Sequence, residues 1–180
     1  SDGTDQINNK TGAAGQTFTI YNFQAGTASE DIGLDLSGTL ASGPTAIAAL
    51  NTLDDGTHDL ANTDANVFYT PGSAGAIDLD NATTSSTILQ LSDAITGGIV
   101  AALQVNGSYA TTAGSVHLAG DGFLTLWSDG TDSYLSAIEL GANVANNATM
   151  ASLTTNDLFI FKGVTDADDF LITQFDDIVS

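Results

Sequence analysis

The sequence predicts a mainly β fold: a β-sandwich or β-roll-like sheet with one or two short helices packed on it. Three observations lead to this prediction. In residues 123–140, apolar and polar residues alternate on both sides of a central Asp-Gly, the pattern of two strands joined by a tight turn. Short alternating segments recur elsewhere between turns rich in Gly, Asn, Asp and Thr. Two segments instead repeat apolar residues at the three- and four-residue steps of a helix.

The same alternation predicts further short strands along the chain. They cover residues 16–23, 32–36, 66–70, 76–80, 115–119 and 157–163, with one or two more between 170 and 179. Residues 1–15 are rich in Asp, Asn and Gly and indicate turn or edge structure. Residues 141–153 are rich in Asn and Ala and indicate either a loop or a short helix.

Two helices are predicted from apolar spacing. Residues 44–53 place Pro44 at a first helical turn, followed by Ile47, Leu50 and Leu53. The second helix covers residues 86–103, where apolar residues recur at helical steps: Ile88, Leu91, Ile95, Ile99, Ala102 and Leu103. Gly97 and Gly98 weaken this second helix by about 2 kcal/mol relative to two alanines, so a break at the glycines is an open alternative.

The charge of the chain excludes several classes of partner. The 180 residues include 22 acidic residues and two cations, giving a net charge of −20. Nucleic acids and anionic membranes are excluded because binding phosphate needs Lys or Arg. Two cations cannot pair 22 anions, so we expect high ionic strength or bound divalent cations to offset the self-repulsion. Among the acids only Glu30 and Glu139 are Glu, and this bias to Asp favours loops that offer oxygen ligands to Ca²⁺.

The remaining composition predicts a bacterial extracellular protein with a real core. Hydrophobic residues make up 42% of the chain, which is ordinary for a globular protein and allows one domain over residues 1–180, with a division into 1–80 and 81–180 as the alternative. The absence of Cys removes disulfides and thiolate sites, on which small secreted eukaryotic domains usually depend. No run of about 18 apolar residues is present, so no membrane insertion is expected. The first ten residues are not a signal peptide; we expect either that one was removed or that export is directed from the other end.

Three Asp-rich segments are candidate calcium sites. Asp129 and Asp132 flank the hairpin turn, and the same pentapeptide, SDGTD, opens the chain with Asp2 and Asp5. The third segment contains Asp166, Asp168 and Asp169. Ca²⁺ takes six to eight oxygen ligands from flexible loops of this kind, whereas the alternative for each segment is a turn with solvated carboxylates. The third segment is not an EF-hand, because no Gly follows at position six and no bidentate Glu at position twelve.

Four segments resemble parts of a known class of secreted proteins. TIYNFQAGTASEDIGLDLSG, residues 19–38, resembles the segment that follows calcium-binding glycine-rich repeats in bacterial type I secreted proteins. AGDGFLTLWSDGTDSYLSAIELG and NDLFIFKGVTDADDF, residues 119–141 and 156–170, are similar to the C-terminal regions of large surface proteins exported by that route. The final QFDDIVS resembles an uncleaved export signal of the same class. The resemblance implies a calcium-binding protein at the bacterial cell surface.

Catalytic and transition-metal patterns are weak. His58 beside Asp54, Asp55 and Asp59 is better explained as a polar loop than as a zinc or iron site, and His117 as a strand residue. No GxSxG elbow is present, and chance pairs of carboxylates are unavoidable in a chain this acidic. We therefore expect no enzyme.

The predicted function is structural. We expect an extracellular protein that self-assembles as a homo-oligomer or polymer, in a filament or a surface layer, with calcium stabilising its acidic loops. The alternative is a C-terminal adhesion or type I secretion domain of a larger protein, with a glycan or another surface molecule as partner. Exposure of Trp127 or Tyr134 would favour that binding role, and burial of both would favour the structural role.

Overall fold

The computed structural model describes residues 5–10, 17–27, 30–35, 49–50, 68–71, 75–78, 88–113, 116–175 and 177–179, and it confirms a mainly β fold. The strands are β1 (Asp5–Lys10), β2 (Phe18–Tyr21), β3 (Glu30–Asp35), β4 (Ala49–Leu50), β5 (Phe68–Tyr69), β6 (Ile77–Asp78), β7 (Ile88–Gln90), β8 (Thr111–Thr112), β9 (Asp121–Ser128), β10 (Asp132–Leu140), β11 (Leu153–Lys162) and β12 (Asp177–Val179). One α-helix, α1 (Ile99–Leu103), and two 3₁₀ helices, Ala167–Asp169 and Ile172–Phe175, complete the described elements.

The main sheet has seven strands and is built around the predicted hairpin. Its order is β2-β11-β10-β9-β7-β5, with β4 also paired to β9. Strands β9, β10 and β11 are antiparallel neighbours, whereas β2 pairs with β11 and β7 with β9 in parallel. A second sheet of order β1-β3-β12 and a small β6-β8 pair lie outside it. Strands from the beginning of the chain therefore pair with strands from its end.

Both faces of the hairpin are buried, because its alternating side chains enter two different apolar clusters. Leu124, Leu126 and Leu135 point into a cluster that we call the C-terminal core, since residues 164–175 cover it. Phe123, Trp127 and the residues in register with them point into the helix-side core, which α1 covers. The C-terminal core comprises Ile20, Phe23, Ile88, Leu124, Leu126, Leu135, Ala137, Leu158, Phe159, Phe161, Val164, Ala167, Phe170 and Phe175. The helix-side core comprises Ile77, Leu89, Leu91, Ile95, Ile99, Ala102, Leu103, Tyr109, Ala113, Phe123, Trp127, Ile138, Leu140, Val144, Met150 and Leu153.

A β-bulge in β11 changes which of its side chains face each core. Leu135 is in register with Phe159, but the next residue, Ser136, is in register with Asp157. Leu158 is the extra residue of the bulge, and both it and Phe159 enter the C-terminal core. The bulge thereby places the Asp157 carboxylate on the same side of the sheet as Ser136.

The predicted helix over residues 86–103 is wrong for most of its length. Ile88–Gln90 form strand β7, and only Ile99–Leu103 are helical. Gly97 and Gly98 have φ angles of 91° and 92°, a conformation that a helix does not contain. The apolar spacing misleads because β7 is buried on both sides: Ile88 enters the C-terminal core and Leu89 the helix-side core.

Other sequence predictions have mixed outcomes. Ala49 and Leu50, expected in a helix, form strand β4, and the other residues of 44–53 lie outside the described part. Strands are present within 16–23, 66–70, 76–80 and 157–163, and β3 lies at residues 30–35. Of the one or two strands predicted between 170 and 179, β12 is present, whereas Ile172–Phe175 form a 3₁₀ helix that packs Phe175 inward. Residues 141–152 form a loop, in which Val144 makes an isolated bridge to His117.

Candidate functional site at the hairpin tip

The turn between β9 and β10 is held together by one of its own carboxylates. Asp129 Oδ1 accepts hydrogen bonds from the backbone N–H groups of Thr131 at 2.8 Å and Asp132 at 2.9 Å. Gly130 has a φ angle of 86°, which L side chains rarely adopt. The Ser128 hydroxyl accepts from the Gly130 N–H and donates to the Thr165 carbonyl, so the turn is also tied to the segment after β11.

The second carboxylate of the turn is buried and paired. Asp132 is 5% exposed, forms an ion pair with Lys162, and accepts a hydrogen bond from the Gly163 N–H at 2.9 Å. The ladder brings these groups together because Asp132 and Lys162 are in register on β10 and β11. The hydrogen bond to Asp132 raises the pKa of Lys162, which keeps the ammonium protonated. Asp132 therefore joins the hairpin to β11.

An aromatic pair stands beside the tip. Tyr134 donates its hydroxyl proton to Asp129 Oδ2 at 2.9 Å, and its ring stacks on Trp127 with a centroid distance of 4.4 Å and an interplanar angle of 16°. Burial, and after it the hydrogen bond to Asp129 and the charges of nearby carboxylates, raises the pKa of Tyr134 to about 12. The Tyr134 hydroxyl is therefore a neutral donor at every physiological pH.

A polar chain fixes the Trp127 ring from the other side. Its indole Nε1 donates to the Ser136 hydroxyl at 2.9 Å, and that hydroxyl donates to Asp157 Oδ1 at 2.7 Å. This chain depends on the bulge, which puts Asp157 in register with Ser136. Trp127 is 7% exposed, whereas Tyr134 is half-buried. Trp127 is thus buried, which favours a structural role, whereas Tyr134 is partly exposed, which favours a binding role.

Protein donors already engage both carboxylates of the tip that were predicted to bind calcium. For Asp129, burial acts to raise the pKa but is outweighed by the N–H groups of Asp132 and Thr131 and the Tyr134 hydroxyl, so the pKa is lowered. Within the described residues, no three His or acidic side chains are grouped so that they could hold a metal ion. A calcium ion at the tip would therefore have to compete with the N–H groups and with Lys162.

The acidic segment after β11 has a different electrostatic character. Asp166 caps the 3₁₀ helix Ala167–Asp169 by accepting from the Asp168 N–H at 3.0 Å. Burial raises the pKa of Asp168, and the charges of Asp166, Asp93 and Asp169 raise it further. These carboxylates repel one another, which a bound or nearby cation would relieve.

The other predicted sites are only partly described. Asp5 begins β1, whose backbone is described, whereas Asp2 and the loop around His58 lie outside the described residues. His117 is 5% exposed and pairs with Val144 through both of its backbone groups, but this is an isolated bridge, and the described residues 116–119 do not form the predicted strand. Burial lowers its pKa, which favours the neutral imidazole.

Sequence reasoning missed two buried glutamines that join distant segments. Gln90 Nε2 donates to the Ala167 carbonyl at 2.8 Å and ties β7 to the C-terminal segment. Gln174 is fully buried, donates to the carbonyls of Gln24 and Thr27, and accepts from the Gly26 N–H. The signal for Gln174 was an uncharged polar residue inside the apolar run Phe170–Phe175, a position at which burial requires hydrogen-bond partners.

Comparison with protein-family models, with curated proteins and with solved structures finds no match for this chain. Among the described residues, none of the helices has both the length and the apolar character needed to cross a membrane.

Proposed function

We propose that this chain is a non-enzymatic structural protein of the bacterial cell surface that self-assembles into a filament or layer, with calcium stabilising its acidic loops. The net charge of −20 carries this proposal. One of the two lysines, Lys162, is already committed to the buried Asp132, so the chain's own cations leave nearly all its carboxylates uncompensated. Subunits of this charge repel one another until cations neutralise or screen them.

The acidic segment Asp166–Asp169 is where a cation would act most directly. The raised pKa of Asp168 reports that its ionised form is disfavoured by burial and by three neighbouring carboxylates. A cation that lies near these side chains without being fully coordinated by them would reduce the repulsion among them. The hairpin tip is less suited, because Asp129 and Asp132 already accept protein hydrogen bonds.

Strand β2 offers an edge through which subunits could join. It is at one end of the main sheet, and among the described residues it pairs with β11 alone. Residues 17–27 carry no charge, so this edge avoids the repulsion that opposes contact elsewhere. Thr19 and Tyr21 are exposed on it. Edge strands with unpaired backbone groups add strands from other chains readily.

The proposal is tested by electron microscopy and light scattering with CaCl₂, with NaCl at the same ionic strength, and with chelator. We expect assemblies with calcium and their dispersal by chelator. Thr19→Lys places a charge on the β2 edge and should prevent assembly, whereas Thr96→Lys, at an exposed position outside the strands, adds the same charge and should not.

Two outcomes would contradict separate parts of the proposal. A chain that remains monomeric under every condition contradicts self-assembly. Assemblies that chelator neither disperses nor destabilises contradict the role of calcium and leave screening as the means of neutralisation.

A further inference from the structure

The end of the main sheet formed by β11 and β2 carries exposed side chains on the side of the helix-side core. On this side of the sheet, the buried apolar side chains of the helix-side core end near β10. Several side chains of β11 and β2 are exposed to solvent. Tyr21 is 70% exposed, Thr19 and Lys162 are exposed, and Ile160 and Tyr134 are half-buried. We call these five residues the tyrosine face.

The strand registers fix the spacing of the two tyrosines. Tyr134 is in register with Ile160, and Ile160 with Thr19; one two-residue step along, Lys162 is in register with Tyr21. Tyr21 and Tyr134 are thus two strands and one two-residue step apart, about 12 Å between their Cα atoms for strands about 4.8 Å apart with about 3.3 Å per residue. The two tyrosines are therefore separate contact points on one side of the sheet.

The Tyr134 ring is held in place before any ligand arrives. It stacks on Trp127 and donates its hydroxyl proton to Asp129, while the Trp127 indole is fixed by Ser136. Because Trp127 covers one face of the ring, the exposed area of Tyr134 is on its other face and its edge. A ring fixed in this way loses little conformational entropy when a ligand stacks on it.

Polar groups adjoin both rings. Asp157 is half-buried beside Tyr134, and the Lys162 side chain, 41% exposed, stands next to Tyr21. Aromatic surface with a few fixed donors and acceptors is the composition that binds ligands having both apolar and hydroxyl-bearing surfaces.

The charges select among ligands of that kind. Asp129, Asp132 and Asp157 each act to raise the pKa of Tyr134, so the potential at this ring is negative, and the whole chain carries −20. An anionic ligand is therefore opposed. A compact cation that contacts both rings would lie beside the Lys162 ammonium, which repels it. A neutral, extended, hydroxyl-rich chain meets neither objection.

We propose that the tyrosine face binds a neutral polysaccharide, with Tyr21 and Tyr134 stacking on separate sugar rings of one chain and Asp157 and Lys162 hydrogen-bonding to its hydroxyls. This binding does not depend on self-assembly, since it uses one face of a single subunit.

Native affinity electrophoresis of dilute protein tests the proposal. The gels contain soluble β-glucan, xylan, mannan or dextran, with alginate as the anionic comparison. We expect at least one neutral polysaccharide to retard the protein and alginate not to. Tyr21→Ala should weaken that binding about tenfold, the order of one aromatic contact. Its exposure means that the fold does not depend on it. Leu118→Ala, another exposed apolar residue outside this face, should bind like the parent.

Tryptophan fluorescence adds a second readout, because Trp127 is the single tryptophan and is stacked on Tyr134. Saturation with the retarding polysaccharide should shift its emission. Failure of all four neutral polysaccharides to retard the protein overturns the proposal, as does equal retardation of Tyr21→Ala. Binding of polylysine in solution without binding of any neutral polysaccharide would overturn it in favour of a cationic partner.

Discussion

At the scale of single residues, the carboxylate of Asp132 has the most demanding position among the described acids. It is 5% exposed, and its compensation comes from Lys162 and the Gly163 N–H, about thirty residues along the chain. Removing a charged hydrogen-bonding group from a buried position leaves its partners unsatisfied. Stability should therefore depend on this one carboxylate more than on most of the others.

We predict that Asp132→Asn lowers the free energy of unfolding by about 1.5–3 kcal/mol, the range for hydrogen bonds to charged groups. Urea denaturation measures the change. Asp169→Asn is the matched control: Asp169 is exposed and adds to the repulsion on Asp168, so the same substitution there should leave stability equal or higher. Equal losses at both positions would contradict a special role for Asp132.

Asp168 and Asp129 should give stability opposite dependences on pH. A raised pKa in the folded state, as at Asp168, contributes stability that is present below the unfolded value of 3.8 and lost as pH rises through the folded pKa. A lowered pKa, as at Asp129, contributes stability that is present above 3.8 and lost as pH falls through the folded pKa.

Consequently, Asp168→Asn should raise the melting temperature at pH 7, with a gain that shrinks as pH falls through the raised pKa. Asp129→Asn should lower the melting temperature at pH 7, with a loss that shrinks below pH 4. Thermal unfolding between pH 3 and 7 checks both. A gain for Asp168→Asn that is constant over this range would show that its carboxyl group is not the titrating group.

At the scale of elements, the hairpin could be predicted and β7 could not. The alternation of Phe123 and Leu124 indicates a strand, and these neighbours do enter opposite cores, Phe123 the helix-side core and Leu124 the C-terminal core. Ile88, Leu89 and Gln90 are all buried, so no polar face marks them as a strand. The spacing of Ile88 from Ile95 and Ile99 matches helical steps, and this led to the prediction of a helix.

The candidate site could be predicted only in its local part. The Asp-Gly signal places Asp129 and Asp132 at a turn, and the structure confirms the turn. The partner of Asp132 depends on the register of β11, and the partner of Ser136 on a bulge at Leu158. Neither the register nor the bulge can be predicted from the spacing of apolar residues alone. The sequence therefore predicts the acidic turn but not that its two carboxylates accept hydrogen bonds and form an ion pair within the protein.

Gly130 is the position where the turn most needs a particular residue. Its φ angle is 86°, and a Cβ there would meet the Ala94 Cβ at 3.5 Å, which is ordinary contact. The cost of a side chain is therefore conformational: Gly130→Ala should lower the free energy of unfolding by about 1–2 kcal/mol. Gly130→Asn should cost less because Asn tolerates this conformation. Chemical denaturation of both variants decides it, and equal costs would point to crowding instead of backbone strain.

At the scale of the whole molecule, two cations face 22 acids, and the described ion pair uses one of them. Burial in two cores on opposite faces of one sheet must therefore stabilise the fold against its own charge. β2 pairs with β11 and β3 with β12, so each of these two sheets combines strands from the first 35 residues with strands from residues 153–179. Repulsion between carboxylates anywhere along the chain opposes the pairing of these strands.

We therefore predict that the melting temperature rises steeply as NaCl increases from 0.01 to 1 M, because the screening length falls from about 30 Å to about 3 Å. Replacing Asp54, Asp55, Asp59 and Asp64 together by Asn removes four negative charges and should flatten this dependence. A melting temperature indifferent to NaCl would contradict the self-repulsion.

Calcium at matched ionic strength separates screening from binding, since a bound ion stabilises by RT ln(1 + [L]/Kd), whereas screening depends on the ionic strength. We expect a further rise with CaCl₂ that chelator reverses, and calorimetric unfolding at equal ionic strength measures it directly.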